Sequence, residues 1–168
     1  LKDHNTCKQY SDEAYINNNI FSGKIIKGVE INETFNNRNI EVLGYKIKDL
    51  DLIEEWSSKF FSEEILRKDQ EETKAKLLAI CDKKGMVYNE ENIKKDIHLT
   101  DFVSIYIYKE LMNHEENIPI LGEYAESLNV FIRKGLLNPE SEYYMGENSK
   151  PKPMYKDVVD IIHKAGGI

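Results

Sequence analysis

The sequence has 168 residues, of which 40% are hydrophobic and 32% charged, with a formal net charge of -7. That length suits one domain, or one and a fraction, with a real core, and the acidic balance argues against general phosphate-backbone binding, which needs a basic surface to release counterions. No apolar run approaches the length of a membrane span, and Cys7 and Cys81 have no metal-ligand spacing, so free thiols in a reducing cytoplasm are expected.

The opening LKDHNT reads as a strand end running into a loop, without the charged-then-apolar pattern of a signal peptide. Asp3 and His4 within it have two readings. One is an imidazole at a barrel mouth, oriented by the adjacent carboxylate; the other is a plain polar loop. The Asn17-Asn18-Asn19 run is compositional bias. Residues 24–47 carry strand signals, with KIIKGVEI and IEVLGYKI rich in β-branched residues and a turn-like NETFNNRN between them. A hairpin or two neighbouring strands follows. Glu30 falls in an otherwise apolar or small run, near the expected C-terminal end of the first strand. Burying it is costly unless a metal ion, an Arg or Lys, or water at a sheet edge meets it.

From Leu50 the pattern turns helical. LDLIEEWSSKFF is a short amphipathic piece, and Ser62 is placed to cap a long helix that opens on Glu63 and Glu64 and stops at Lys83-Lys84-Gly85. Its polar middle, RKDQEETK, is expected to project into solvent, with Glu72 and Lys76 as an i,i+4 pair. NEENIKKD predicts a short helix capped by Asn89, and DFVSIYIYKELM a buried helix in preference to a strand. In LGEYAESLNVFIRKG, the residues Leu121, Tyr124, Ala125, Leu128, Phe131 and Ile132 predict one helical stripe ended by Gly135. A loop-rich connector then leads to MYKDVVDIIHKAGGI, an amphipathic helix stopped by Gly166-Gly167. Ile168 reads as the first residue of another strand. His98 and His114 are expected at the surface, and His163 in a last helical turn that suits a cation. Both ends read as cuts, so an internal piece of a longer protein is expected. The order is that of an α/β barrel with a helical insertion.

Three segments together, LKDHNT, KIIKGVEINETFNNRNIEVLGYKI and HKAGGI, resemble the PHP (polymerase and histidinol phosphatase) family in order and spacing. They resemble its TDH-type motif, its G-x-E strand with a following strand ending in L-G-Y, and the helix end before its Ala-His-Pro motif. The resemblance implies an α/β chain, mainly helical, forming part of a distorted (β/α)7 barrel. Residues 1–49 would supply a two-stranded barrel segment, 50–150 a helical insertion, and 151–168 the returning barrel helix. It also implies a metal-dependent phosphoesterase acting on a phosphorylated metabolite or short oligonucleotide, with Zn, Mn or Fe in the complete protein. His4, Glu30 and Glu41 would be metal ligands and Asp3 would support His4. Glu41 stands where many members have histidine, and Lys2 where threonine is usual. Arg67 and Arg133 are candidate phosphate-binding cations of the insertion, weighed against ordinary surface salt bridges.

The remaining family ligands lie outside this chain, so the chain alone is expected to hold metal weakly and to be inactive. The alternative is a degenerate, non-enzymatic interaction or regulatory module, and whether this chain is itself an enzyme stays open. A small phosphorylated substrate, a cytoplasmic location, no membrane, no general nucleic-acid binding, and self-association through exposed strand edges complete the expectation.

Overall fold

In the computed structural model, which describes residues 5–10, 25–35, 38–93, 97–99 and 101–168, GVEINETF forms β1 (Gly28–Phe35) and RNIEVLGY forms β2 (Arg38–Tyr45). The strands pair antiparallel from Gly28 opposite Tyr45 to Phe35 opposite Arg38. The expected hairpin is therefore present, but β1 continues through NETF, which the sequence reading assigned to a turn. Glu30 is consequently the third residue of an eight-residue strand, not near its C-terminal end. The sheet of the described residues has these two strands, and the chain is mixed α/β with helix predominant.

The chain divides into two compact units, residues 1–62 with 151–168, and residues 63–150. The division falls after Ser62 rather than at Leu50. The reason is α1 (Leu50–Phe61), which buries Ile53 in the core of the first unit and contacts its last helix, α4 (Tyr155–Lys164). Asp49 caps α1 by accepting the Leu52 N–H at 2.9 Å. The core of this unit joins Val29 and Ile31 of β1, Ile47, Ile53 of α1, and Val158, Ile161 and Ile162 of α4. The α4 spacing of i, i+3 and i+4 is what one buried helical face requires.

The end of α4 holds this unit together. Gly166 has φ +73°, its N–H donates to the His163 carbonyl at 2.9 Å, and the Gly167 N–H donates to the Ile162 carbonyl at 2.9 Å. This paired arrangement is the Schellman stop expected from Gly166. The glycine at 167 serves a different need. A Cβ there would lie 2.6 Å from Ile47 Cδ1 and 3.0 Å from the carbonyl oxygens of both Ile162 and Tyr45. The Ala165 carbonyl then accepts the N–H groups of Lys48 and Asp49, and Ile168 exchanges both backbone bonds with Tyr45 at 2.8 and 2.9 Å. That reciprocal pair is an antiparallel ladder rung on the edge of β2 away from β1.

The second unit starts with α2 (Glu63–Lys83), whose end repeats the same device. Gly85 has φ +69°, the Met86 N–H donates to the Cys81 carbonyl, and the Gly85 N–H donates to that of Asp82. Asn89 caps a single 3-10 turn (Glu90–Asn92) by accepting the Glu91 N–H. FVSIYIYKELM is helical, as expected, in α3 (Val103–Leu111), which packs on α2. LGEYAESLNVFIRKG is not one helix. Gly122 takes φ +55°, Ser127 opens a new turn by accepting the Val130 N–H, and Phe131–Leu136 is wound as a π-helix. A stripe of apolar residues survives these breaks because each short turn packs on the same core, around Phe131, Leu121 and Tyr143.

Two buried polar side chains organise this unit. Asn117 accepts the Val87 N–H and donates to the carbonyls of Val87 and Leu111, so its oxygen and both of its N–H donors are paired. Glu110 receives the Asn89 N–H, which above all holds its carboxyl below the usual range, helped by His114, Asn113 and Asn92 against the effect of burial. The expected Glu72–Lys76 pair is present at 2.9 Å, but the polar middle of α2 does more than meet solvent. Glu72 accepts the N–H and hydroxyl of Ser149, while Asp69 and Thr73 accept the Asn148 amide, strapping residues 148–149 to the helix.

Substituting Gly167→Ala is expected to destabilise the first unit by about 1–3 kcal/mol, because two of the three obstacles are backbone oxygens. The measurement is a lowered urea midpoint at unchanged slope; an unaltered midpoint would refute the close approach.

Candidate functional site

Strand alternation gives the hairpin two faces. Val29, Ile31 and Glu33 share one with Val42 and Gly44; Glu30 and Asn32 share the other with Leu43 and Glu41. Two of the expected metal ligands, Glu30 and Glu41, thus sit on one face at diagonal positions of neighbouring strands. Residues in that relation lie roughly 7–8 Å apart at the backbone, within reach of a common cation for two glutamates. Glu30 is only 2% exposed, although Leu43 directly opposite is 42% exposed. Asp3 and His4 lie outside the described residues.

The segment that follows His4 in sequence is fixed in detail. The Asn5 N–H donates to the Glu30 carbonyl at 2.6 Å, and the Asn5 side-chain oxygen accepts the Asn32 N–H at 2.8 Å. These bonds use the edge of β1 that faces away from β2. They also make Glu30–Leu43 and Asn32–Glu41 non-hydrogen-bonded pairs, in which side chains stand closer together. Asn5 has φ +58°, a conformation that asparagine tolerates better than most residues. Tyr10 completes the edge, its hydroxyl donating to the Gly28 carbonyl at 3.0 Å and accepting the Gly28 N–H at 2.7 Å.

Helix α1 grips the same segment from its other side. Glu54 Oε1 accepts the Thr6 hydroxyl at 2.8 Å and the Cys7 N–H, and the Ser57 hydroxyl donates to the Asn5 carbonyl. Sequence reasoning did not find Glu54, Ser57 or Asn5. The bonds between α1 and residues 5–7 join positions 47 to 52 apart, and the local hint is the i,i+3 placement of Glu54 and Ser57 beside buried Ile53.

The other sequence candidates are placed differently. Arg67, on α2 of the second unit, donates to the Ile97 carbonyl at 2.7 Å and stands 3.8 Å from Glu63, so its guanidinium supports a loop. Arg133 is exposed on the π-helical turn. His114 is not simply a surface residue: it lies 2.9 Å from buried Glu110. Cys7 and Cys81 are buried, and burial pushes the Cys81 thiol up to about 12, which leaves it unreactive. Among the described residues, no group of three or more His, Cys, Asp or Glu side chains is placed to hold a metal ion, and no helix is long and apolar enough to cross a membrane.

Glu33, on the core side of β1, is a further buried acid. It is 3% exposed and neither carboxyl oxygen has a hydrogen-bond partner, and burial raises its pKa. The folded state therefore keeps the Glu33 proton to higher pH than the unfolded chain does. Its burial costs stability progressively as pH climbs above the ordinary carboxyl value of about 4.3, up to its folded value. Glu33→Gln is accordingly expected to stabilise the protein at pH 7, the gain shrinking as pH falls to about 4. Thermal unfolding of both proteins across that range is the check, and a pH-independent difference would contradict it.

No protein-family profile matches this sequence, and no curated protein matches it. Among solved structures, the chain is similar to the crystal structure of an inferred metal-dependent phosphoesterase from Bifidobacterium adolescentis, with a TM-score of 0.55 and 16% identity. The match covers 99% of this chain and 53% of that one, so this chain spans about half the length of its structural relative. At that identity the finding is a shared fold.

Proposed function

We propose that this chain is part of a PHP-type metal-dependent phosphoesterase, and that the outer face of the β1–β2 hairpin contributes to its metal site. The observation that carries the reading is the placement of Glu30. A buried carboxylate shares a hairpin face with Glu41, and its own carbonyl is bonded to the residue that follows His4. The fold shared with an inferred metal-dependent phosphoesterase supports the same assignment.

The donor set fits a divalent cation: two carboxylates on one face, with an imidazole as the proposed third ligand, make a mixed oxygen and nitrogen set that suits Zn, Mn or Fe. Such an ion, when bound, supplies Lewis acidity and makes water a nucleophile near neutral pH. The chain's own residues do the holding. Glu30, on a strand fixed at both edges, presents its carboxylate from a rigid position. Glu41, exposed on β2, offers a second carboxylate that can adjust. Asp3 would orient the imidazole of His4, as carboxylates commonly do for metal-binding histidines. Arg67 is occupied with Ile97 and Glu63, whereas Arg133 is exposed on the π-helical turn of the second unit. The complete protein would close the remainder of the barrel and act on a phosphorylated metabolite or short oligonucleotide.

A second reading, a non-enzymatic interaction module, draws on the hairpin's outer surface, where Leu43 and Tyr45 are each 42% exposed. Self-association through this surface would appear as concentration-dependent mass in sedimentation.

The test is Mn2+ titration followed by paramagnetic broadening of the Glu30, Asn32 and Glu41 amide signals, together with hydrolysis of p-nitrophenyl phosphate. Weak binding localised to these amides and lost in Glu30→Gln is expected, with negligible turnover by the chain alone. Binding indifferent to Glu30→Gln would remove the basis for the assignment.

A further inference from the structure

We propose that Glu54 and Ser57 of α1, acting through Asn5, are positioning residues that set the segment following His4 against Glu30 and so tune metal binding at the hairpin face. The inference rests on the reading of the preceding subsection and extends it to residues that reading does not use. Three elements meet at one short segment. From α1, Glu54 Oε1 accepts both the Thr6 hydroxyl and the Cys7 N–H, and the Ser57 hydroxyl donates to the Asn5 carbonyl. From β1, the Glu30 carbonyl accepts the Asn5 N–H, and the Asn32 N–H donates to the Asn5 side chain. The backbone N–H and C=O of Asn5 are therefore committed in opposite directions, one to the strand that bears Glu30 and the other to the helix.

That arrangement exceeds what a loop needs merely to stay attached. Asn5 is held in the left-handed region, which costs energy for a residue with a Cβ, and bonds from both sides are what keep it there. A bond that a backbone N–H donates to a carboxylate is roughly twice as strong as one between neutral groups. Ser57 is 2% exposed, and loss of its hydroxyl removes the donor that α1 gives to the Asn5 carbonyl. Glu54 directs its hydrogen bonds to Thr6 and Cys7 and not to the strand that bears Glu30. Its effect reaches the site through Asn5, as supporting groups behind metal ligands do.

The experiment compares the intact chain with Glu54→Ala, Glu54→Gln, Ser57→Ala and Glu30→Gln in the Mn2+ titration, alongside amide hydrogen exchange at Cys7 and Asn32. Expected for Glu54→Ala are faster exchange at both amides and Mn2+ binding weakened about 10-fold. Ser57→Ala should shift both readouts the same way by less, and Glu54→Gln, which keeps an acceptor oxygen, should restore most of the affinity. Should Glu54→Ala unfold the hairpin, Ser57→Ala carries the comparison. Faster exchange with unchanged Mn2+ affinity, while Glu30→Gln still abolishes binding, overturns the positioning role and leaves the metal site standing. Absence of binding in the unaltered chain, or binding unaffected by Glu30→Gln, overturns the site and the positioning role with it.

Discussion

The register of the β1–β2 hairpin decides the chemistry of everything built on it. Side chains alternate between faces with a period of two, so a slip of one residue would carry Glu30 into the core and expel Ile31. The pairing of Gly28 with Tyr45 prevents this, because that rung is held from three directions. The Tyr10 hydroxyl both donates to and accepts from Gly28, Ile168 exchanges two bonds with Tyr45, and Gly44 leaves room for Ile162 to lie flat across the strand. With register fixed there, the positions of Glu30, Asn32 and Glu41 follow without further specification.

The two units use different means to the same end. The first closes through backbone contacts at the terminus of α4, where glycine permits a carbonyl-to-peptide approach that a Cβ would strain. The second relies on buried polar side chains, Asn117 and Glu110, whose hydrogen-bonding capacity is filled by backbone and asparagine groups. A buried polar group that is fully paired adds specificity, since alternative packings would strand it. Glu33 breaks this rule on the core face of β1, where neither of its oxygens is met.

Elements with a short-range cause were legible in the sequence. The helix stops at Gly85 and Gly166, the cap at Asn89, the hairpin, and the buried helix of FVSIYIY all follow from residues within a few positions of one another. The single helix expected from LGEYAESLNVFIRKG failed because periodicity records which residues face the core, and short turns can satisfy it as well as a continuous helix. The candidate site was legible only in part. Glu30 drew notice as an acid in an apolar run and Glu41 through the family resemblance alone, but the grip of α1 on residues 5–7 depends on contacts between distant positions. The boundary at Ser62 escaped for the same reason, because α1 looks like any other amphipathic helix until its partner, α4, is known.

The second unit is one continuous stretch, whereas the first is interrupted by it. During synthesis, the hairpin and α1 emerge before α4 and so lack Val158, Ile161 and Ile162, which complete their core. At ~5–20 residues per second the intervening chain takes on the order of ten seconds to appear. Throughout that interval the second unit can reach its native contacts while the hairpin and α1 lack the α4 side chains of their core. Completion of the first unit therefore waits on synthesis of the second, whatever the stability of either unit alone.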